Sequence, residues 1–191
     1  MKTLILSGGI GSGKSVVAAL LAAHGIPVYD CDNRAKALYD EVPGLLERIE
    51  TALGCPLRGE DGRLDPKRLG GRIFSDPAAR EQVESILYPE LKADFLRWRS
   101  RQSAPWAALE SAIILSKPLF DDIGDLVVWV HAPAETRLRR AVLRDGSSEE
   151  SVLARMRAQE NFASRADEVL VNDGSLQELS DKVDRLVHKL T

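Results

Sequence analysis

The stretch SGGIGSGKSVV, residues 7–17, limits the possible folds of this chain more than any other part of it. It follows the apolar run LIL and precedes an alanine- and leucine-rich segment, which predicts a strand, a glycine-rich turn and a helix. The spacing Gly-x-x-x-x-Gly-Lys-Ser is that of a phosphate-binding P-loop, and it is met by Gly8, Gly13, Lys14 and Ser15. A flexible turn that matches by accident is the alternative, and the position between strand and helix favours the P-loop.

The P-loop spacing predicts how a nucleotide is held. Glycines between residues 8 and 13 let main-chain N–H groups turn inward around an anion. The helix that starts near Lys14 directs the positive end of its dipole to the same place. We therefore expect the Lys14 ammonium to reach the β- and γ-phosphates and the Ser15 hydroxyl to bind Mg²⁺.

The composition excludes several classes of partner. The 191 residues are 44% hydrophobic and 29% charged, and the net charge of −3 predicts no nucleic-acid partner. No apolar run approaches the roughly 20 residues needed to span a bilayer, and the N-terminus lacks the pattern of a signal peptide. Cys31 and Cys55 have neither CxxC spacing nor a histidine cluster, as expected of free thiols. These features predict a cytoplasmic protein that binds no membrane.

Short apolar segments alternate with helical patterns along most of the chain. Five of them predict strands, at 3–6, 26–30, 106–112, 126–131 and 168–172. Most are continuous apolar runs, as in strands that are covered on both faces. The alternation predicts an α/β fold with a five-stranded, mostly parallel sheet and flanking helices.

Residues 33–104 break this alternation, because they hold several helical patterns and no convincing strand. We predict a helical insertion there that caps one end of the sheet. The core is then formed by about 1–32 and 105–191, and the whole of 1–191 is predicted to be a single domain.

The P-loop alone does not decide between a kinase, a GTPase and an ATPase. The guanine-specifying pattern Asn-Lys-x-Asp of GTPases does not occur in the sequence. Many ATPases carry an acidic residue at the end of an apolar strand, and the nearest candidate is Glu110 in the segment AALES. Glu110 is either such a functional carboxylate or a strand-end carboxylate with no metal role, and the sequence leaves both interpretations open.

Two aspartates after the second predicted strand point to a phosphoryl acceptor. The segment VYDCDNRAK places Asp30 and Asp32 at the carboxyl end of the strand, where open α/β sheets bind ligands. Two residues apart in an extended segment, their carboxylates are expected to point the same way. One can then accept a proton from an attacking hydroxyl and help to hold Mg²⁺, while the other orients the substrate. The alternative is that one of them caps a helix beginning at Asn33.

Residues 137–165, which we call the lid, are rich in arginine and follow the fourth predicted strand. Arg137, Arg140 and Arg144 share one face of a predicted helix, and three more arginines follow. A planar guanidinium suits the neutralisation of a phosphoryl group in transfer. A solvated helix pair with salt bridges is the alternative, and it is favoured for most of these arginines.

In the order of these features the chain resembles the dephospho-CoA kinase family. Family members characteristically read TGGIGSGKS and then VIDAD followed by AR, where this chain has SGGIGSGKS and VYDCDNRAK. The segments RLRRAVLRDG and ADEVLVNDGS, and the insertion segment DGRLDPKRLGGRIFSDPAAREQVESILYP, are also similar to family segments. The resemblance covers nearly the whole chain. It implies a P-loop kinase fold and the Mg-ATP-dependent phosphorylation of the ribose 3′-hydroxyl of dephospho-CoA.

The resemblance also implies roles for individual residues. The catalytic residues it implies are Lys14, Asp32 as general base, and Arg140 as a phosphate-stabilising lid residue. The ATP-binding residues are Gly9, Gly11, Ser12, Gly13, Lys14, Ser15, Val16, Arg140 and Asn172, with Asn172 approaching the adenine end. The substrate-binding residues are Asp30, Asp32, Tyr88 and Glu110, and the metal ligands are Ser15 and Asp32.

The sequence departs from the family pattern at three places. Tyr88-Pro89 stands where the family usually has His-Pro, ESAIILSK replaces the usual PLLFE after the third strand, and the lid is about three residues shorter.

The partners implied by the resemblance are ATP and dephospho-CoA, and we expect a monomer or a weak homo-oligomer. Two alternatives stay open: a nucleoside or nucleotide monophosphate kinase of the same fold, and an ATP-binding protein that has lost catalysis.

Overall fold

The computed structural model of the protein describes residues 1–159 and 162–190. The strands are β1 Lys2–Gly8, β2 Val28–Asp30, β3 Trp106–Glu110, β4 Leu126–His131 and β5 Glu168–Val171. The helices are α1 Lys14–Ala23, α2 Cys31–Glu41, α3 Leu45–Leu53, α4 Pro66–Ile73, α5 Pro77–Ser100, α6 Ala134–Asp145, α7 Glu149–Ala158 and α8 Leu176–Leu190. Short 3₁₀ helices lie at Ile114–Ser116, Pro118–Phe120 and Ala163–Arg165.

The internal contacts of the chain define two compact units. One unit comprises Met1–Asp30 with Arg101–Thr191 and holds all five strands, and the other comprises Cys31–Ser100. The assignment of the chain to one domain stays a prediction. None of the described helices combines the length and the apolar composition that are needed to cross a lipid bilayer.

The first unit is built on one five-stranded sheet with the order β2-β3-β1-β4-β5, in which every pairing is parallel. The predicted five-stranded α/β fold is therefore confirmed. The sheet was predicted to be mostly parallel, and all of its pairings are parallel. Strand β1 is central, so the P-loop that follows it has the β3 loop on one side and the β4 loop on the other. Because all five carboxyl ends meet at one edge, this edge gathers the loops that carry polar side chains.

Two helices cover one face of this sheet with apolar side chains. Leu6 and Val128 of the sheet pack with Val17 and Leu21 of α1 and with Val183 of α8, and all of these are buried. Burying each such side chain stabilises the fold by about 1.5–3 kcal/mol. Helix α1 is therefore fixed against β1, and its amino end points at the sheet edge where the P-loop lies.

The second unit is helical, as the sequence predicts, and α3 and α5 pack against each other within it. Helix α5 continues through Pro89, although the proline lacks the N–H that an α-helix uses. The Arg34 side chain of α2 donates to Asp94 of α5 at 3.0 Å and to Glu41 of its own helix at 2.7 Å. These ion pairs tie α2 to α5.

One local expectation at the end of β2 is wrong. Helix α2 begins at Cys31, so Asp30 ends a strand while Asp32 lies in the first turn of a helix. The two aspartates do not share an extended segment, and the argument that their side chains point the same way fails. The helix also begins earlier than Asn33, because it follows the strand directly after Asp30 with no intervening loop.

Candidate active site

The P-loop occupies the turn between β1 and α1. Gly11 and Gly13 have φ of 74° and 92°, in the left-handed region that favours glycine. Gly13 is the N-cap of α1, and its carbonyl accepts from the N–H groups of Val16 and Val17. The N–H groups of Lys14 and Ser15 belong to the first turn of the helix and have no intrahelical acceptor, so they are available to an anion.

The P-loop leaves no room for side chains at three of its glycines. A Cβ added to Gly9 would collide with Nη1 of Arg137, and one added to Gly11 would collide with the Arg137 carbonyl oxygen. A Cβ at Gly13 would collide with Nδ2 of Asn172. The first turn of α6 and the residue after β5 therefore lie directly against this loop. Of the other loop residues, Ser12 is buried, whereas Val16 is exposed on α1.

Glu110, at the end of β3, binds both polar side chains of the P-loop motif. Its Oε1 accepts from Lys14 Nζ at 2.9 Å and from Ser15 Oγ at 3.0 Å. The Glu110 and Lys14 side chains are only 10% and 14% exposed, so the ion pair is largely shielded from water. Glu110 therefore lies at the P-loop and contacts two residues of its motif, and a role for its carboxylate in metal binding stays a prediction.

A second carboxylate lies beside Glu110. Asp30 pairs in register with Glu110 between β2 and β3, so the two residues end neighbouring strands at the same edge. No three His, Cys, Asp or Glu side chains converge as a metal cage in the described parts of the chain. Mg²⁺ in nucleotide sites needs only one or two protein ligands besides phosphate and water. The oxygens of Ser15 and Glu110 fit that requirement.

Asn172 and Arg140 flank the other side of the P-loop. The buried Asn172 side chain donates through Nδ2 to the Ser12 carbonyl at 2.7 Å, and Arg140 Nη1 donates to the Asn172 carbonyl at 3.1 Å. The Asn172 N–H in turn donates to the His131 carbonyl at 2.7 Å. Arg140 thus lies next to the phosphate-binding loop, and Asn172 uses its side-chain amide to hold that loop.

Gln159 also contacts the P-loop, although no pattern in the sequence selects it. Its Oε1 accepts the Ile10 N–H at 2.7 Å, and its Nε2 donates to the Ala112 carbonyl at 3.5 Å. A single side chain at the end of α7 therefore bridges the loop after β1 and the loop after β3. A polar residue at the end of a helix in the lid belongs to no motif, so the contact is visible only in the folded chain.

Within the lid, Asp145 joins two helices. Its carboxylate accepts from Arg144 Nε at 2.7 Å and from Arg155 Nη2 at 2.8 Å, so α6 and α7 are bonded across the turn at Gly146. These two guanidinium groups, Arg144 first, lower the pKa of Asp145 to about 2. Both arginines are therefore engaged in an ion-pair network, as the salt-bridge interpretation expects.

The remaining predicted site residues lie in the helical unit. Tyr88 of α5 donates to Glu84 Oε1 at 3.3 Å. Burial, followed by the charges of Glu84 and Asp32, raises the pKa of Tyr88 above its ordinary value, so its hydroxyl stays protonated. Burial likewise raises the pKa of Tyr39 to about 12. The electrostatic effect of Asp32 on Tyr88 places two of the predicted substrate residues near each other.

The fold and the site together define a class of protein, the P-loop kinases. A shikimate kinase from Acinetobacter baumannii has the same fold, with a TM-score of 0.54, 18% identity, and coverage of 100% of this chain and 95% of that one. The family model described as dephospho-CoA kinase matches residues 3–178. The dephospho-CoA kinase of Porphyromonas gingivalis is 45% identical over 166 residues, covering 87% of this chain and 81% of that protein. A crystal structure from Thermus thermophilus has a TM-score of 0.86 and 36% identity, and covers 100% of this chain and 98% of that one. This chain belongs to the dephospho-CoA kinase family.

Proposed function

We propose that the protein transfers the γ-phosphoryl group of Mg-ATP to the ribose 3′-hydroxyl of dephospho-CoA, giving coenzyme A and ADP. The observation that carries the proposal is the Lys14–Glu110–Ser15 constellation in a chain that matches the family model over residues 3–178. The match over nearly the whole chain does not favour a nucleotide monophosphate kinase, and the complete P-loop constellation does not favour an ATP-binding protein without catalysis.

The P-loop is the proposed site of the ATP phosphates. The N–H groups of Lys14 and Ser15, at the positive end of α1, face the α- and β-phosphates, and the Lys14 ammonium reaches the β- and γ-phosphates. When ATP binds, the Lys14 ammonium can contact phosphate oxygens as well as the Glu110 carboxylate. Arg140 lies beside Gly13 and is proposed to bind phosphate from the β4 side.

The proposed reaction is an in-line displacement. The substrate 3′-oxygen forms a bond to the γ-phosphorus, the bond from that phosphorus to the β,γ-bridging oxygen breaks, and ADP departs with the electron pair. The Asp32 carboxylate is the proposed general base that receives the 3′-hydroxyl proton. Asp30 and Tyr88 are proposed to orient the acceptor, and the protonated Tyr88 hydroxyl can donate to it.

Mg²⁺ is the proposed cofactor, and it neutralises negative charge on the β- and γ-phosphates when it is bound. Ser15 Oγ and the Glu110 carboxylate, with Asp32, are the side chains proposed to hold it. We assign Glu110 to the nucleotide side of the site, because its carboxylate accepts from Lys14 and Ser15 of the P-loop. The oligomeric state and the cytoplasmic location stay predictions.

The proposal is tested by measuring ADP release with Mg-ATP in the presence and absence of dephospho-CoA, beside a panel of nucleoside monophosphates. Release that depends on dephospho-CoA and yields a 3′-phosphorylated product is the expected result. ADP release with a nucleoside monophosphate but not with dephospho-CoA would contradict the proposal.

The role of Asp32 has its own control on the same helix. Asp32→Asn should lower kcat about 100-fold or more, because a general base usually accelerates the reaction by at least that factor. The variant should leave ATP binding unchanged. Asp40→Asn removes an exposed carboxylate from α2 and should leave kcat unchanged. Native turnover by the Asp32→Asn variant would remove Asp32 as the base.

A further inference from the structure

Arg137 is a half-buried arginine that packs against the P-loop and pairs with no carboxylate among the described residues. Its Nη1 lies where a Cβ of Gly9 would be, and its own carbonyl oxygen lies against Gly11. Three other arginines of α6 and α7 are bonded: the partly buried Arg140 to the Asn172 carbonyl, and the exposed Arg144 and Arg155 to Asp145. Within residues 1–159 and 162–190, Arg137 thus differs from these arginines in packing against the P-loop without a carboxylate partner.

Arg137 has no ion-pair partner in the described part of the chain, and this has an energetic cost when no anion is bound. A guanidinium that is partly withdrawn from water loses hydration, and proteins compensate such a group with a carboxylate or with a bound anion. Arg137 lies against the P-loop, which is built to receive an anion. An arginine beside the P-loop is therefore stabilised when phosphate is bound.

The position of Arg137 along the loop indicates which phosphate it meets. The α- and β-phosphates lie against the N–H groups at the start of α1. Arg140 is near Gly13, at that end of the loop, with its Nη1 3.9 Å from the Cβ position. Arg137 is at Gly9, at the opposite end of the loop. It lies on the β4 side, across the loop from Glu110 on the β3 side.

We infer that Arg137 binds the γ-phosphoryl group of ATP and neutralises it during transfer. The site then has Lys14, Ser15 and Glu110 on one side of the phosphates and Arg137 and Arg140 on the other. A guanidinium with several N–H donors can follow the γ-phosphoryl oxygens as the phosphorus moves toward the acceptor. The inference rests on the proposed ATP site, and not on the identity of the acceptor.

The test compares ATP with ADP, because only ATP carries the γ-phosphate. Dissociation constants for Mg-ATP and Mg-ADP are measured by titration calorimetry on the full chain. Arg137→Ala should weaken ATP binding about tenfold or more, the worth of a charge-assisted hydrogen bond, and change ADP binding less than twofold. Arg139→Ala is the matched control: it removes an exposed arginine from the same helix and should leave both constants unchanged.

Two conservative variants keep the test independent of folding. Arg137→Gln keeps hydrogen-bond donors without the charge, and Arg137→Lys keeps the charge without the planar fork. We expect the glutamine variant to lose affinity for ATP as the alanine variant does, and the lysine variant to lose less. Equal weakening of ATP and ADP, or no weakening of ATP in any variant, would overturn the assignment. Since no acceptor is needed, these results stand even if dephospho-CoA is not the substrate.

Discussion

The side-chain amide of Asn172 donates a 2.7 Å hydrogen bond to the main-chain carbonyl of Ser12, which bonds the end of β5 directly to the P-loop. The two residues are 160 positions apart in the sequence. The amide also fills the space above Gly13, whose φ of 92° only glycine adopts readily. The shape of the P-loop therefore depends on a residue from the far end of the chain.

Replacing Asn172 with Asp should weaken both the fold and ATP binding. The carboxylate has nearly the same shape but cannot donate to the Ser12 carbonyl, so a buried acceptor loses its partner at a cost of about 1–3 kcal/mol in the free energy of unfolding. Urea denaturation and ATP titration measure the two effects. If unfolding is unchanged and only the preference of the site for ATP over GTP shifts, Asn172 acts on the adenine base instead.

Replacing Glu110 with Gln should raise the Mg²⁺ concentration needed for half-maximal turnover about tenfold. Glutamine can still accept from Lys14 and Ser15, but it supplies no charge to a hard cation that prefers carboxylate oxygen. The measurement is turnover as a function of Mg²⁺ at saturating ATP. Glu47→Gln, an exposed change on α3, is a control for the loss of one negative charge. An unchanged Mg²⁺ dependence in Glu110→Gln would exclude Glu110 as a ligand.

Replacing Gln159 with Leu should raise the KM for ATP several-fold and speed hydrogen exchange of the Ile10 amide. The variant removes the acceptor of the Ile10 N–H, and a lost hydrogen bond of this kind is worth about 0.5–1.5 kcal/mol. Gln177→Leu is the control, because Gln177 donates to Asp181 on the exposed face of α8. A native exchange rate at Ile10 would show that the bond to Gln159 does not form in solution.

The stability contributed by Asp145 should depend on pH. The pKa of Asp145 is lowered from 3.8 to about 2 in the folded protein, so its ion pairs stabilise the fold above about pH 4 and are lost as the pH falls toward 2. The difference in the free energy of unfolding between the native protein and Asp145→Asn should accordingly shrink over that range. A difference that stays constant between pH 4 and pH 2 would contradict a stabilising role for these ion pairs.

The architecture could be predicted from the sequence because its signals are local. The five apolar segments predicted as strands all form strands, and their bounds differ from the prediction by at most two residues. Lys14 and Ser15 follow from a spacing that is short and rigid. The start of α2 was misjudged, since Asp32 next to a short strand satisfies the patterns of an extended segment and of a helix first turn equally well.

The contacts that complete the candidate site could not be predicted in the same way. Glu110 meets Lys14 across 96 residues and Gln159 meets Ile10 across 149, and no periodicity or spacing records such distances. The sequence also did not indicate which of the lid arginines lie against the P-loop. Arg137, Arg140 and Arg144 share one helix face in the sequence, and only the fold separates the one that pairs with Asp145 from the two that lie against the P-loop.

The place of the helical unit in the chain has a consequence for the order of folding. Val28 pairs with Ala108, so β2 and β3 can join only when the ends of residues 31–100 come together. An unstructured loop makes that closure more costly in entropy, by about 0.6 kcal/mol for each doubling of its length. Residues 31–100 form their own contacts, so their early folding shortens the loop that must close. We expect substitutions in the interior of α3 and α5 to slow the formation of the β2–β3 pair, even though neither helix contributes a strand to the sheet.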